Sequence, residues 1–166
     1  ITADHRCSLH VHVDVSDLTE EEISSIVTWW IKSEAVFMDS VPSRRKRNQY
    51  CQFLGQTDIF EHIEDGLFSP ETLFKKLGDC KYYSINTYHY HNKKRKTIEF
   101  RIMDNDCCLD PWATKNWVRL LLHFVERAII RRLPVNYIPG DRWSGYCWLD
   151  SKDVFELLGF GPEQYN

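Results

Sequence analysis

His10-Val11-His12 lies in a stretch, Leu9–Val15, whose residue types alternate strictly. Leu9, Val11, Val13 and Val15 take one face and His10, His12 and Asp14 the other, the pattern of a half-buried strand. Residues two apart on a strand stand roughly 6.5–7 Å apart, which is long for two imidazoles on one ion. That spacing suits one histidine on a metal and the other on a neighbouring substrate group. Two hydrogen-bonded histidines on a polar sheet face are the alternative. In Thr97-Ile98-Glu99-Phe100-Arg101 the same alternation puts Ile98, Phe100 and Ile102 on one face and Glu99 with Arg101 on the other. A carboxylate beside a guanidinium can be a structural ion pair. It can also be a ligand for a hard divalent cation next to a holder of phosphate or carboxylate. His, His, Glu and Arg together form the mixture that metal-assisted phosphoryl chemistry uses. The run Arg45-Lys46-Arg47-Asn48-Gln49-Tyr50-Cys51 reads as a solvated basic loop; nucleic-acid binding is the alternative, and no other part of the chain supplies a matching basic surface. His89 and His91, beside the tract Lys93–Lys96, are expected at an exposed hairpin tip, with no metal role assigned to them.

These residues need elements to hold them. Thr19 with Glu22 is a capping box for a helix running to about Phe37, with Ile23, Ile26, Val27, Trp30 and Ile31 at helical spacing. Residues 40–66 read as irregular around Pro42. Ser69–Pro70 opens a short helix to Leu77, which Gly78 ends. Tyr82–Tyr90 and Thr97–Met103 read as the two strands of a hairpin across the polar tract His91–Lys96. Asp110–Pro111 starts the longest helix, to about Arg131, with Trp117, Leu120, Leu121, Phe124, Val125 and Ala128 as its buried stripe. Pro134, Pro139 and Gly140 mark a loop. Ser151 caps a last short helix that Gly159 ends. The expected class is α+β, with helices covering one face of an antiparallel sheet in one domain spanning 1–166.

Composition narrows the functional classes. Aromatic residues make up 14% of the 166 residues, enough to argue against disorder. A formal net charge of −3 gives no overall basic field, so nucleic-acid and membrane-surface binding are not expected. No apolar run approaches the roughly 20 residues a spanning helix needs, and no secretory signal opens the chain. Six cysteines allow a disulfide framework, but no C-x-x-C knuckle occurs and Cys107 and Cys108 are adjacent. Reduced, mostly buried thiols in a cytoplasmic protein are the expectation. The first residue is Ile, as expected of a processed chain or a piece of a longer one.

The set resembles the amidoligases, small relatives of glutamine synthetase and glutamate–cysteine ligase. The resemblance rests on Leu9-His10-Val11-His12-Val13-Asp14, on Arg45-x-x-Asn48-x-Tyr50-Cys51, on Lys81-Tyr82-Tyr83-Ser84-Ile85-Asn86, and on Thr97-Ile98-Glu99-Phe100-Arg101 with the Trp117 helix after it. It covers about 7–125, leaving 126–166 as a helical and loop extension. It implies a glutamine-synthetase-like sheet and an ATP-dependent carboxylate–amine ligase working through an acyl phosphate, with Mg2+ or Mn2+. By the same resemblance His10 and Glu99 are metal ligands, and His12 contacts phosphate or acyl substrate. Arg101 stabilises the transferred phosphoryl group, and Arg45, Asn48, Lys81 and Asn86 line the phosphate or substrate pocket. The expected partners are a small-molecule or peptide carboxylate and an amine.

One departure matters. The family's first strand usually carries further carboxylates in a Glu-x-Glu arrangement, and nothing ahead of Cys7 supplies them, Asp4 included. An upstream polypeptide is therefore expected to complete the domain. The alternatives are an inactive amidoligase-like structural or interaction module, and a zinc hydrolase using His10, His12 and a third ligand.

Overall fold

The structure, a computed structural model, describes residues 7–54, 57, 70–78, 80–92, 95–132 and 149–160. The expected loop at Pro134, Pro139 and Gly140 lies outside them, as do Asp4, Ser69, Lys93 and Cys147. The described elements run β1 (Val11–Asp14), α1 (Glu20–Asp39), α2 (Ser43–Lys46), α3 (Pro70–Gly78), β2 (Ile85–Asn86), α4 (Tyr88–His91), β3 (Thr97–Phe100), a 3-10 turn (Asn105–Leu109), α5 (Pro111–Ile130) and α6 (Ser151–Leu157). The class is α+β, with an antiparallel three-stranded sheet in the order β1-β3-β2.

The apolar alternation of β1 and β3 builds the core. Val11, Val13 and Val15 are buried on one side of β1, and Ile98, Phe100 and Ile102 follow the same rule around β3. Against them lies α1. Trp30 meets Phe100 edge-on at 4.7 Å between centroids and stacks on Phe37 at 4.8 Å, while Phe124 of α5 closes on Trp30 at 5.7 Å. Burial of such rings is the largest source of stabilisation available to this sheet. Small residues on α1 let α5 approach closely, and Ser25 Oγ donates to the Ala128 carbonyl at 2.7 Å. Trp29 and Trp30 find partners for their indole N–H groups in the Arg131 carbonyl and Ser84 Oγ. Glu34 is fully buried, where it accepts from the Leu54 N–H and the Ser84 hydroxyl. The helices thus cover one sheet face.

Most helix boundaries follow the sequence signals. Thr19 and Glu22 form the reciprocal capping box, at 3.3 and 2.9 Å, and Asp110 caps α5 with Pro111 in its first turn. Two expectations need correction. Asp150, not Ser151, caps α6, because its carboxylate reaches the Asp153 N–H while Asp153 reaches back to the Asp150 N–H. The run Tyr82–Tyr90 holds a strand only at Ile85–Asn86, because Asn86 Oδ1 accepts the Tyr88 N–H at 2.7 Å and turns the chain into the helical turn α4. At the far end, Gly159 leaves α6 at φ +80, the left-handed conformation glycine adopts without strain.

Cys7, Cys51, Cys80, Cys107 and Cys108 are free thiols. Among the described residues no helix is long and apolar enough to cross a membrane.

Candidate active site

The register of the sheet assembles the polar face. His12 and Asn86 both stand opposite Glu99, so one row crosses all three strands: His12 on β1, Glu99 on β3, Asn86 on β2. Cross-strand partners lie about 5 Å apart, and long side chains also reach the diagonal neighbour. His10 uses that diagonal. Its Nδ1 stands 2.6 Å from Glu99 Oε1, so Nδ1 carries the proton and donates, while Nε2 faces Ser8 Oγ at 2.5 Å. Arg101, two residues along β3, donates from Nη1 to the same Oε1 at 2.9 Å, and Asn86 Nδ2 donates to Oε2 at 2.8 Å.

Glu99 is therefore an almost fully buried carboxylate (3% exposed) held by three donors. Burial pushes its pKa up, but the hydrogen bond from His10 and the charge of Arg101 outweigh that and hold it down at about 2. It is ionised at neutral pH.

His12 plays a different part. Its Nε2 stands 3.7 Å from Glu99 Oε1, its Nδ1 3.4 Å from Thr97 Oγ1, and its ring 5.8 Å from that of His89. Burial lowers its pKa against the pull of Glu99, with His89 and His10 adding to the lowering. The imidazole is thus the neutral, proton-accepting form at pH 7. His89, expected at an exposed tip, is instead half-buried beside His12, with Nδ1 enclosed and unbonded. The turn at Asn86 brings it there, and the pair Asn86-Thr87 was the available signal.

The other expected pocket residues divide. Asn86 joins Glu99. Arg45 is 1% exposed, and its Nε and Nη2 donate to the carbonyls of Ile102 and Arg101 at 3.1 and 2.7 Å, so its fork fastens α2 to the end of β3. Asn48 lines a cavity of about 550 Å3 with Lys46, Arg47, Gln49, Gln52 and Thr57. Lys81 lies over the Tyr82 ring at 5.2 Å. Burial pushes the Cys51 thiol in the 550 Å3 cavity up to about 11, though Arg45 pulls the other way, which favours the thiol over the thiolate. Arg44 stands at the head of the basic cluster. It grips Asp104 through two bonds of 2.8 and 2.6 Å and also meets Asp106, which draws the Asp104 carboxyl below its usual range.

A divalent cation on His10 and Glu99 meets a plain test. Magnesium takes six oxygens in near-ideal octahedral array, and catalytic zinc wants three protein ligands. Among the described residues no group of three or more His, Cys, Asp or Glu side chains is placed to hold a metal. Both Glu99 oxygens already accept hydrogen bonds, and a guanidinium stands against one of them. These residues alone do not fit such an ion.

Residues 1–125 match the family model described as "Putative amidoligase enzyme". No curated protein and no solved structure matches the chain.

Proposed function

The chain belongs to the amidoligase family, and on that premise we propose that it joins a carboxylate to an amine at the expense of ATP, on the sheet face around Glu99. The observation that carries this reading is the convergence of His10, Asn86 and Arg101 on one buried, ionised carboxylate beside a neutral imidazole. In the first step a substrate carboxylate oxygen attacks the γ-phosphorus of ATP, the bond to the ADP oxygen breaks, and an acyl phosphate forms. The amine then attacks the acyl carbon, phosphate leaves, and the amine nitrogen gives up a proton. Arg101 offers a fixed positive charge to the phosphoryl oxygens, and Glu99 positions it. His12, which burial keeps in its neutral form, accepts the amine proton. Mg2+ or Mn2+ would enter on the nucleotide phosphates as part of the substrate, with donors beyond those of Glu99.

A glutamine-synthetase-like fold is part of the same reading. Among the described residues β1 is an edge of the sheet, so an upstream strand added there would set its carboxylates beside His10 and His12. A second reading, an inactive amidoligase-like module, is favoured by one observation: Glu99 already has its hydrogen bonds made within the chain.

Hydroxylamine, which traps acyl phosphates as hydroxamates, separates the two. Full-length protein with ATP, Mg2+ and a panel of carboxylates should yield hydroxamate, and Arg101→Ala should cut the yield about a hundredfold, with partial rescue by added guanidinium. No hydroxamate from any carboxylate, together with no calorimetric binding of Mg-ATP, would leave the module reading standing.

A further inference from the structure

The basic run 44–47 places four cations in sequence, and the structure uses three of them elsewhere. Arg44 is spent on Asp104 and Asp106, Arg45 on two backbone carbonyls, and Lys46 on Asp39 at 2.7 Å. Arg47 is exposed, and no carboxylate among the described residues pairs with it. It lines both the 550 Å3 cavity and a neighbouring one of about 280 Å3 that also takes in Arg44 and Tyr50. Neither cavity has an Asp or Glu in its described lining; the polar groups are cations, the amides of Asn48, Gln49 and Gln52, the hydroxyls of Thr57 and Tyr50, and the Cys51 thiol. With Arg44 and Lys46 paired to carboxylates, Arg47 is the cation left open here among the described residues, and with the amides it gives an excess of donors that suits an oxyanion. The larger cavity's volume falls within the range of small-molecule sites, about 300–1,000 Å3.

Tyr50, in the lining of the smaller cavity, is bonded through its backbone to the Glu99 cluster. Arg101 donates to Glu99 from Nη1 and reaches the Tyr50 carbonyl from Nε at 3.4 Å, so one guanidinium bridges the Glu99 face and the wall of the smaller cavity. We propose that this cavity seats a second anionic group, carboxylate or phosphate, of the substrate activated at Arg101, and that Arg47 is its specificity residue. This rests on the ligase reading for what the substrate undergoes, though not for the binding itself. Arg45, the arginine singled out by the resemblance, fastens the cavity's scaffold from beneath.

The test is a titration of the full chain by L-glutamate and, separately, by inorganic phosphate, following the Arg47 side-chain N–H signal by heteronuclear NMR. A saturable shift is expected with at least one anion, and Arg47→Ala should weaken that affinity about tenfold, as loss of a charge-assisted hydrogen bond implies. Arg47→Lys should weaken it less. L-glutamate acting alone assigns a carboxylate, and phosphate acting alone assigns a phosphate. No saturable shift with either anion overturns the proposal, as does an Arg47→Ala affinity within twofold of wild type. Since the titration requires no turnover, a chain that binds through Arg47 but forms no hydroxamate loses the ligase reading alone. A chain that turns over with unchanged KM and kcat as Arg47→Ala loses the cavity alone.

Discussion

Glu99 combines near-complete burial with the ionised state, and its hydrogen bonds explain how both hold at once. The linkage has a definite sign. A carboxyl held at about 2 in the folded chain against an ordinary 4.5 contributes on the order of 3 kcal/mol, present above pH 4.5 and lost as pH falls toward 2. Urea titrations of wild type and Glu99→Gln should therefore differ most at pH 7, the gap closing as pH falls through about 2. His12 acts on the other side of neutrality. Its pKa lies below 6.5, so turnover should fall on acidification through that lower value, and His12→Ala should abolish the acid limb while lowering the rate about a hundredfold. The sequence told much at this scale: the alternation of Leu9–Val15 and of Ile98–Ile102 put His10, His12, Glu99 and Arg101 on polar faces. It could not tell that His10 and His12 turn to the same carboxylate, because strand register is a property of two segments far apart in sequence.

Among the elements, α2 shows why a basic run is hard to read. Its four residues end in three cations, and adjacent arginines point to opposite fates, one into the protein and one across its surface. Arg45→Ala leaves two carbonyls at the end of β3 without their donor and should cost about 2–3 kcal/mol in urea unfolding, whereas Arg47→Ala should leave the midpoint unchanged. Nothing in the spacing of Arg44-Arg45-Lys46-Arg47 distinguishes them. Their partners at Asp104, Ile102 and Asp39 are set by how α2 lands on the sheet. The run Tyr82–Tyr90 shows the opposite problem. Aromatic and β-branched residues favour a strand here, and one local hydrogen bond, from the Tyr88 N–H to Asn86 Oδ1, overrides them.

For the whole molecule, α1 packs against α3, α5 and α6, and Trp30 touches the sheet, α5 and its own helix at once. Trp30→Ala should cost about 3–5 kcal/mol and lower Tm, read by thermal unfolding. The family match ends at residue 125, yet α5 runs on to Ile130 and α6 adds Val154 and Leu157 to the same core. Leu157→Ala should therefore destabilise the chain by about 2–4 kcal/mol despite lying beyond the matched span. The row His12–Glu99–Asn86 carries one more consequence. If β3 slid by a single residue against its neighbours, Glu99 and Arg101 would turn into Trp30 and Phe124, and Phe100 would turn onto the polar face. The misaligned chain would lose its core in the same movement that scattered its polar row. Proofreading of the reactive face is thus built into folding itself: refolded preparations should vary in yield but not in activity per folded molecule.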